Sequence, residues 1–299
     1  MRMFSVTLVT IFAALLAQHT YADDAPDGEI SAGESLTNVV PQENQPEYSL
    51  LNINYFGIFY GPSVGNPTTG YQPDLGGKPD HDHPLLVRNF ATFSHNFSDQ
   101  LSLAATGYWT WQPVAPQSLD VQDPFLRLAY NSLVHVGGFN LYGDFRIHFP
   151  LSSLSQQMNE KLGAQLFEAG TYQVDQSKFM LGLYFSQRAN FFGHQKIITY
   201  QGRYYWQPAG DDLEFYLAPN INYQVSPKVS ITVLYEMYAS HTLGQKLFSL
   251  NSDGTDLEPG VAWEITPSIM LNPYLNLLTG GKVSLNSTSF GMMLSINLI

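Results

Sequence analysis

Three groups of side chains in this sequence could do chemistry. The first is serine beside histidine, at Ser94-His95 and Ser240-His241, with His148 standing alone. A nucleophile needs its base within hydrogen-bond reach, and neighbours on a strand point to opposite faces. None of the three therefore reads as a catalytic dyad, and no enzyme is expected. The second group is Asp80-His81-Asp82-His83, with Asp74 close by. Imidazole and carboxylate can hold a divalent cation, which makes His81 and His83 weak metal candidates. The surrounding proline and glycine and the lack of fixed partners behind the rings favour a solvated loop tip, so no metal or cofactor is expected.

The third group is the charges. The five arginines beyond the N-terminus, Arg88, Arg127, Arg146, Arg188 and Arg203, all fall at polar positions of alternating segments, whereas every lysine falls in a loop or at a segment end. The acids Asp144, Glu214, Glu236, Glu258 and Glu264 share that polar phase. The arginines crowd the earlier segments and the acids the later ones, so a closed sheet would give its interior a basic wall and an acidic wall. Arg127, Arg146, Arg203, Glu214, Glu236 and Glu258 lie toward one end of their segments, while Arg188 is placed at the other.

The elements that must hold these charges are strands. Leu101, Leu103, Ala105, Gly107, Trp109 and Trp111 alternate with Ser102, Ala104, Thr106, Tyr108 and Thr110. The same period of two runs through 139 to 149, 229 to 238 and 290 to 298, and it is the period of a strand. Twelve strands are predicted, near 48–60, 84–97, 100–112, 123–135, 138–150, 178–190, 196–207, 212–225, 228–240, 256–266, 268–278 and 288–299. Tight turns at Ser98-Asp99, Gly137-Gly138, Phe192 to Gln195, Ser226 to Lys228 and Pro267 alternate with longer loops. Counting 164–174 as a strand would break that parity, so Ser152 to Phe167 is expected in a long loop, with a short helix.

Composition narrows the classes. Of 299 residues 14% are aromatic and 13% charged, against about 25% charged in an ordinary soluble domain. There is no cysteine, which excludes thiol chemistry and disulfides. A formal charge of −12 argues against a nucleic-acid partner, whose phosphates require a basic face. Past the N-terminus no apolar run approaches the roughly 20 residues of a spanning helix. Arg2, the apolar stretch Phe4 to Ala17 and Thr20-Tyr21-Ala22 have the form of a secretory signal over 1–22. Residues 23–47 hold seven acids and no base and read as an acidic flexible leader. The barrel is assigned to 48–299.

With its signal, its even number of strands and its alternation of tight and long connections, the chain resembles the Gram-negative outer-membrane β-barrels, porin-like and of about twelve strands. The resemblance implies an all-β, single up-and-down antiparallel transmembrane barrel in the bacterial outer membrane, inserted by the barrel-assembly machinery and bathed in outer-membrane lipid. It also gives the outward aromatics a role. Phe59, Trp109, Trp111, Phe149, Tyr204 and Trp206 near one end, and Phe97, Phe139, Tyr223 and Trp263 near the other, would mark the two bilayer interfaces. Five arginines against five acids leave the interior without net charge. The expected function is passive passage of small polar or zwitterionic solutes, with a sealed structural or adhesion barrel as the alternative and an outer-membrane lipid hydrolase ranked below both.

Overall fold

The computed structural model describes residues 50–114, 117–193, 197–200, 203–206, 210–243, 245–246 and 249–298, without the side chains of 197–200, 203–206 and Asp253. The signal and leader read from 1–22 and 23–47 lie outside the described residues.

Twelve strands close into one antiparallel barrel. In chain order they are β1 (Leu51–Ser63), β4 (Leu86–Asn96), β5 (Leu101–Gln112), β7 (Phe125–Val136), β8 (Phe139–His148), β9 (Glu160–Gln173), β10 (Phe179–Phe192), β13 (Asp211–Ser226), β14 (Val229–Thr242), β15 (Asn251–Thr266), β16 (Ile269–Leu278) and β17 (Thr288–Asn297). Each pairs with its neighbours in the chain, and β1 closes the ring on β17 with Asn54 opposite Asn297 and Tyr60 opposite Gly291. Closure leaves no edge strand, so every wall strand has a ladder on both sides.

Six short elements decorate one end. The hairpin β2 (Tyr71–Pro73) with β3 (Pro79–Pro84) follows β1, β6 (Ser118–Val121) extends β5, and the helix α1 (Ser153–Gln157) precedes β9. The hairpin β11 (Ile197–Tyr200) with β12 (Arg203–Trp206) lies between β10 and β13. Asp123 ties α1 down: it accepts from the Ser152 amide at 2.7 Å and from the Ser155 hydroxyl, while Ser152 caps the helix through the Ser155 amide. Among the described residues the connections at the opposite end are tight turns. At Gly137-Gly138 the first glycine has φ +59°, which side chains rarely adopt, and a Cβ on the second would lie 2.4 Å from the Gln173 carbonyl, so backbone conformation favours glycine at the first position and lack of space at the second.

The strand number matches the sequence reading, but one strand of the set does not. Segment 160–173, placed in a loop, is the wall strand β9, paired with β8 from Phe139–Tyr172 to His148–Gly163 and with β10 along most of its length. Segment 196–207, read as a wall strand, folds back on itself as β11 and β12, with Ile197 opposite Trp206 and Tyr200 opposite Arg203. The exchange moves the tight turn from Phe192–Gln195 to 174–178, where Gln176 takes φ +54°. It also reverses β10 end for end.

Outward positions are apolar along the whole wall. Leu103, Trp111, Leu126, Leu128, Phe145, Leu166, Leu181, Ile221, Ile231, Val261, Trp263 and Phe290 are all exposed, and Trp109 is half-buried beside Trp111. Among the described mid-strand residues, the exceptions on that face are Asn89, Glu168 and Gln187. Asn89 is satisfied by the Tyr55 hydroxyl at 2.7 Å and donates to the Val87 carbonyl. Glu168 lies opposite Gly143 and Phe185.

Candidate functional site

Cross-strand partners share a face, so the ladders show which interior side chains stand side by side. One row runs Ala104, Arg127, Arg146, Gln165, Arg188, Glu214, Ser240 across seven consecutive wall strands. Arg127, Arg146, Gln165, Glu214 and Ser240 are all buried, Arg146 to 1% exposure. From β7 to β14 each strand brings one polar residue into this register at the inward phase of its alternation. Arg188 belongs to it. The reversal of β10 brings that arginine up from the tight-turn end, where the sequence reading had placed it, to stand directly opposite Glu214.

Within this layer the charges are engaged locally. Arg146 clamps Asp144 with a two-pronged contact, Nε to Oδ1 at 2.7 Å and Nη2 to Oδ2 at 3.0 Å. Tyr142 donates to the same carboxylate at 2.7 Å. The Arg146 guanidinium also stands 5.3 Å from the Phe125 ring centre and 5.0 Å from that of Phe167, so rings cover it on the sides the carboxylate does not. Arg188 donates to Glu160 at 3.3 Å, and Asn190 donates to Glu214. His148 meets Gln165 at 2.7 Å, which in turn donates to Ser186 at 2.7 Å. Arg88 donates to the Tyr60 hydroxyl and lies 4.8 Å from its ring centre.

The acids gather on the other arc. Glu236 on β14 lies directly opposite Asp256 on β15, and Glu258 follows two residues later on the same face. Glu236 accepts from Tyr216 at 2.6 Å and Tyr238 at 3.0 Å, while the Asn276 amide donates to Asp256 at 3.2 Å and Glu258 at 3.3 Å. Asp256 was missing from the sequence-read acids, although the alternation that turned Glu258 inward turns Asp256 inward too. Glu264 shares their phase but stands apart near the tight-turn mouth, where its amide meets the Lys228 carbonyl.

Arg203 and Trp206 fall on β12, which is not a wall strand; that segment also holds Tyr204 and Tyr205, and none of the four side chains is among those described. Neither Arg203 nor Trp206 has the wall position that the sequence reading gave it. In the loop beyond β1, His83 pairs with Asp80 at 2.7 Å while His81 packs edge-on against Tyr71, so the two imidazoles are engaged separately. Ser94 is buried inside and His95 packs outside against Phe97.

The interior is also more apolar than the alternation suggested. Phe167, Tyr184, Tyr216, Ala218 and Leu234 form one buried cluster, and Phe56, Ile58, Phe90, Tyr108, Tyr274 and Met293 another. Phe90 and Tyr108 stack with centres 4.4 Å apart. Gly291 makes room for the Tyr274 ring, which approaches within 2.2 Å of where a Cβ would be.

No family model matches the chain, and no curated protein matches it. Among solved structures, the chain is similar to the crystal structure of the COG4313 outer membrane channel from Pseudomonas putida F1, at 12% identity and TM-score 0.53 over 87% of this chain and 100% of that one. A Salmonella typhi OmpF complex with daunomycin is matched at 8% identity and TM-score 0.39, over 83% of this chain and 97% of that one. The first of these likenesses bears on the fold: this protein is a twelve-stranded antiparallel barrel, similar in fold to that outer membrane channel.

Proposed function

We propose that the protein is a bacterial outer-membrane channel for passive passage of small polar or zwitterionic solutes, with the arginine row and the Glu214, Glu236, Glu258 arc as its constriction. The observation that carries this reading is the separation of the two faces: apolar side chains project outward all around the wall, while guanidinium and carboxylate groups share the interior. Lipid is the solvent that suits the first face, and a wet passage suits the second. Membrane lipids and the assembly machinery would then be its partners. The resident cationic arc runs from β4 to β10 and the anionic arc from β13 to β15, so a solute in the passage meets a transverse field.

Single-channel recording of refolded protein in a planar bilayer tests this. We expect steady conductance steps, and Glu236→Gln, by removing one fixed negative charge, shifts the reversal potential in a salt gradient toward anion preference. A silent bilayer would favour a sealed barrel, the reading to which the Arg146–Asp144 clamp and the aromatic interior lend support. For a lipid hydrolase the geometry is poor, because His148 reaches Ser186 only through Gln165. His241 instead meets Asp212 at 2.5 Å while the buried Ser240 on the next position points to the other face.

The lipid belt has its own test at Glu168. A carboxyl group at mid-strand on that face is costly in hydrocarbon, though less so than a lysine or arginine, for which the penalty is about 2–4 kcal/mol at the midplane. Glu168→Leu should therefore raise stability against urea in lipid vesicles by about 1 kcal/mol. No gain in vesicles would place this face against something other than hydrocarbon.

A further inference from the structure

The inner face of β9 lacks a side chain at one point. Gly163 is buried between His148 on β8 and Asn190 on β10. A Cβ there would lie 3.0 Å from Arg188 Nε, 3.2 Å from Arg188 Nη2 and 3.1 Å from the His148 Cβ. Carbon contacts are comfortable at about 3.5–4.0 Å, so the Arg188 guanidinium lies in space that a side chain at 163 would claim. Glycine inside a strand gives up packing and marks a close approach by another group. Here that group is a guanidinium.

A second device lies at the start of the same strand. The ladder with β10 passes from Phe191–Leu162 to Phe192–Glu160, so Lys161 is an extra residue in β9. Such a bulge reverses the alternation. Glu160, which would otherwise face outward, is buried and accepts from Arg188 Nη2 at 3.3 Å. The ladder itself favours another partner. Arg188 stands directly opposite Glu214 on β13, and the two charges act on each other through space, as Asp123 acts on Arg188. Yet the guanidinium bonds across β9. Glu214 takes its hydrogen bond from Asn190, and its Oε2 is buried without a partner, as are Arg188 Nε and Asn190 Oδ1. Buried polar atoms are normally satisfied, so a donor and an acceptor left unpaired on opposed residues mean that Arg188 is held away from Glu214. The seat at 163 and the inward Glu160 are what hold it.

We propose that Gly163 is a positioning residue of the constriction: it seats the Arg188 guanidinium on β9, sends that charge to Glu160, and leaves Glu214 as the carboxylate that meets a passing solute in this layer. Asp144, the other acid of the layer's arginine side, is already clamped by Arg146. A side chain at 163 crowds the guanidinium off β9, and the acceptor across the opposite ladder is Glu214. The seat stands on geometry alone. The role of Glu214 rests on the channel reading and deepens it, by giving one residue the layer's preference for cationic over anionic groups.

Double-mutant cycles on the full chain refolded in detergent read the pairing directly. With glycine at 163, Glu160→Gln lowers the urea midpoint, and most of that loss disappears once Arg188→Met is in place. The cycle between Arg188→Met and Glu214→Gln gives the smaller coupling. In a Gly163→Val background the ranking reverses. If Gly163→Val gives no folded band on an unheated gel, Gly163→Ala serves: it asks the guanidinium to yield by a few tenths of an ångström, weakening the Glu160 coupling and strengthening that of Glu214. A loss of stability at 163 that leaves both couplings unchanged, or a larger coupling to Glu214 with glycine in place, overturns the seat. Reversal potentials in a salt gradient read the second half. Glu214→Gln shifts them toward anion preference, and the shift shrinks when a side chain is present at 163. No shift from Glu214→Gln in a conducting barrel overturns its role. The expected couplings in a barrel that does not conduct remove the channel reading and leave the seat, whereas conductance with unchanged couplings removes the seat alone.

Discussion

Arg146→Ala lowers the stability of the refolded barrel by about 3–5 kcal/mol. The Asp144 side chain has no exposure and the Arg146 side chain 1%, so removing the guanidinium leaves a buried carboxylate that has lost its two-pronged partner and keeps the Tyr142 hydroxyl. The same truncation strips the cation from between the Phe125 and Phe167 rings. The combined variant Asp144→Asn with Arg146→Met removes both charges and keeps most of the volume, and it should recover most of the loss. Urea unfolding in detergent, followed by tryptophan fluorescence, reads all three proteins. Equal stability of Arg146→Ala and the unaltered chain would mean that water, not the clamp, serves Asp144.

The second large effect distinguishes β9 from the hairpin that the sequence put in its place. Leu166→Pro removes a ladder hydrogen bond in the middle of a strand paired on both sides, opposite Phe145 and Gln187. That costs about 3 kcal/mol or more by the standard of interior proline, and because the barrel has no edge at which to accommodate the break, the folded band on an unheated gel should disappear. Thr199→Pro falls on β11, whose described ladder is with β12 alone, and should leave that band in place. The reverse outcome, a tolerated proline at 166 and a lost barrel at 199, would restore the strand order read from sequence.

The barrel itself was legible because its outer face is so uniformly apolar. On β5 every second residue from Ser102 to Thr110 is buried while Leu103, Ala105, Gly107 and Trp111 are exposed, as the alternation predicts. β9 was illegible for the opposite reason. Its inner face carries Phe167 and Ala169, its outer face Glu168 and Gly170, so the polarity contrast is inverted over the middle of the strand. β11 and β12 imitate one strand because both are short and rich in β-branched and aromatic residues. Gly202, a glycine inside an otherwise strand-like run, was the signal that could have divided them. The misplaced turn then sent Arg188 to the wrong end, which shows how one exchanged strand transmits an error to the placement of a single side chain. The aromatic interior is a different matter. Alternation says which side a residue faces but not that two apolar faces can coexist in one wall, and Phe56, Ile58, Phe90 and Met293 reveal themselves only once the ring is closed.

Separate environments for the two faces of the wall are the central claim, and β9 tests it best because it also carries the corrected topology. The chain has no cysteine, so single cysteines from Leu162 to Thr171 can each bear a spin label in protein refolded into lipid vesicles. Collision with oxygen, which concentrates in hydrocarbon, should peak at 162, 164, 166, 168 and 170 and fall at 163, 165, 167, 169 and 171. A flat profile, or strong collision of a water-soluble paramagnetic reagent at 164 and 166, would contradict it.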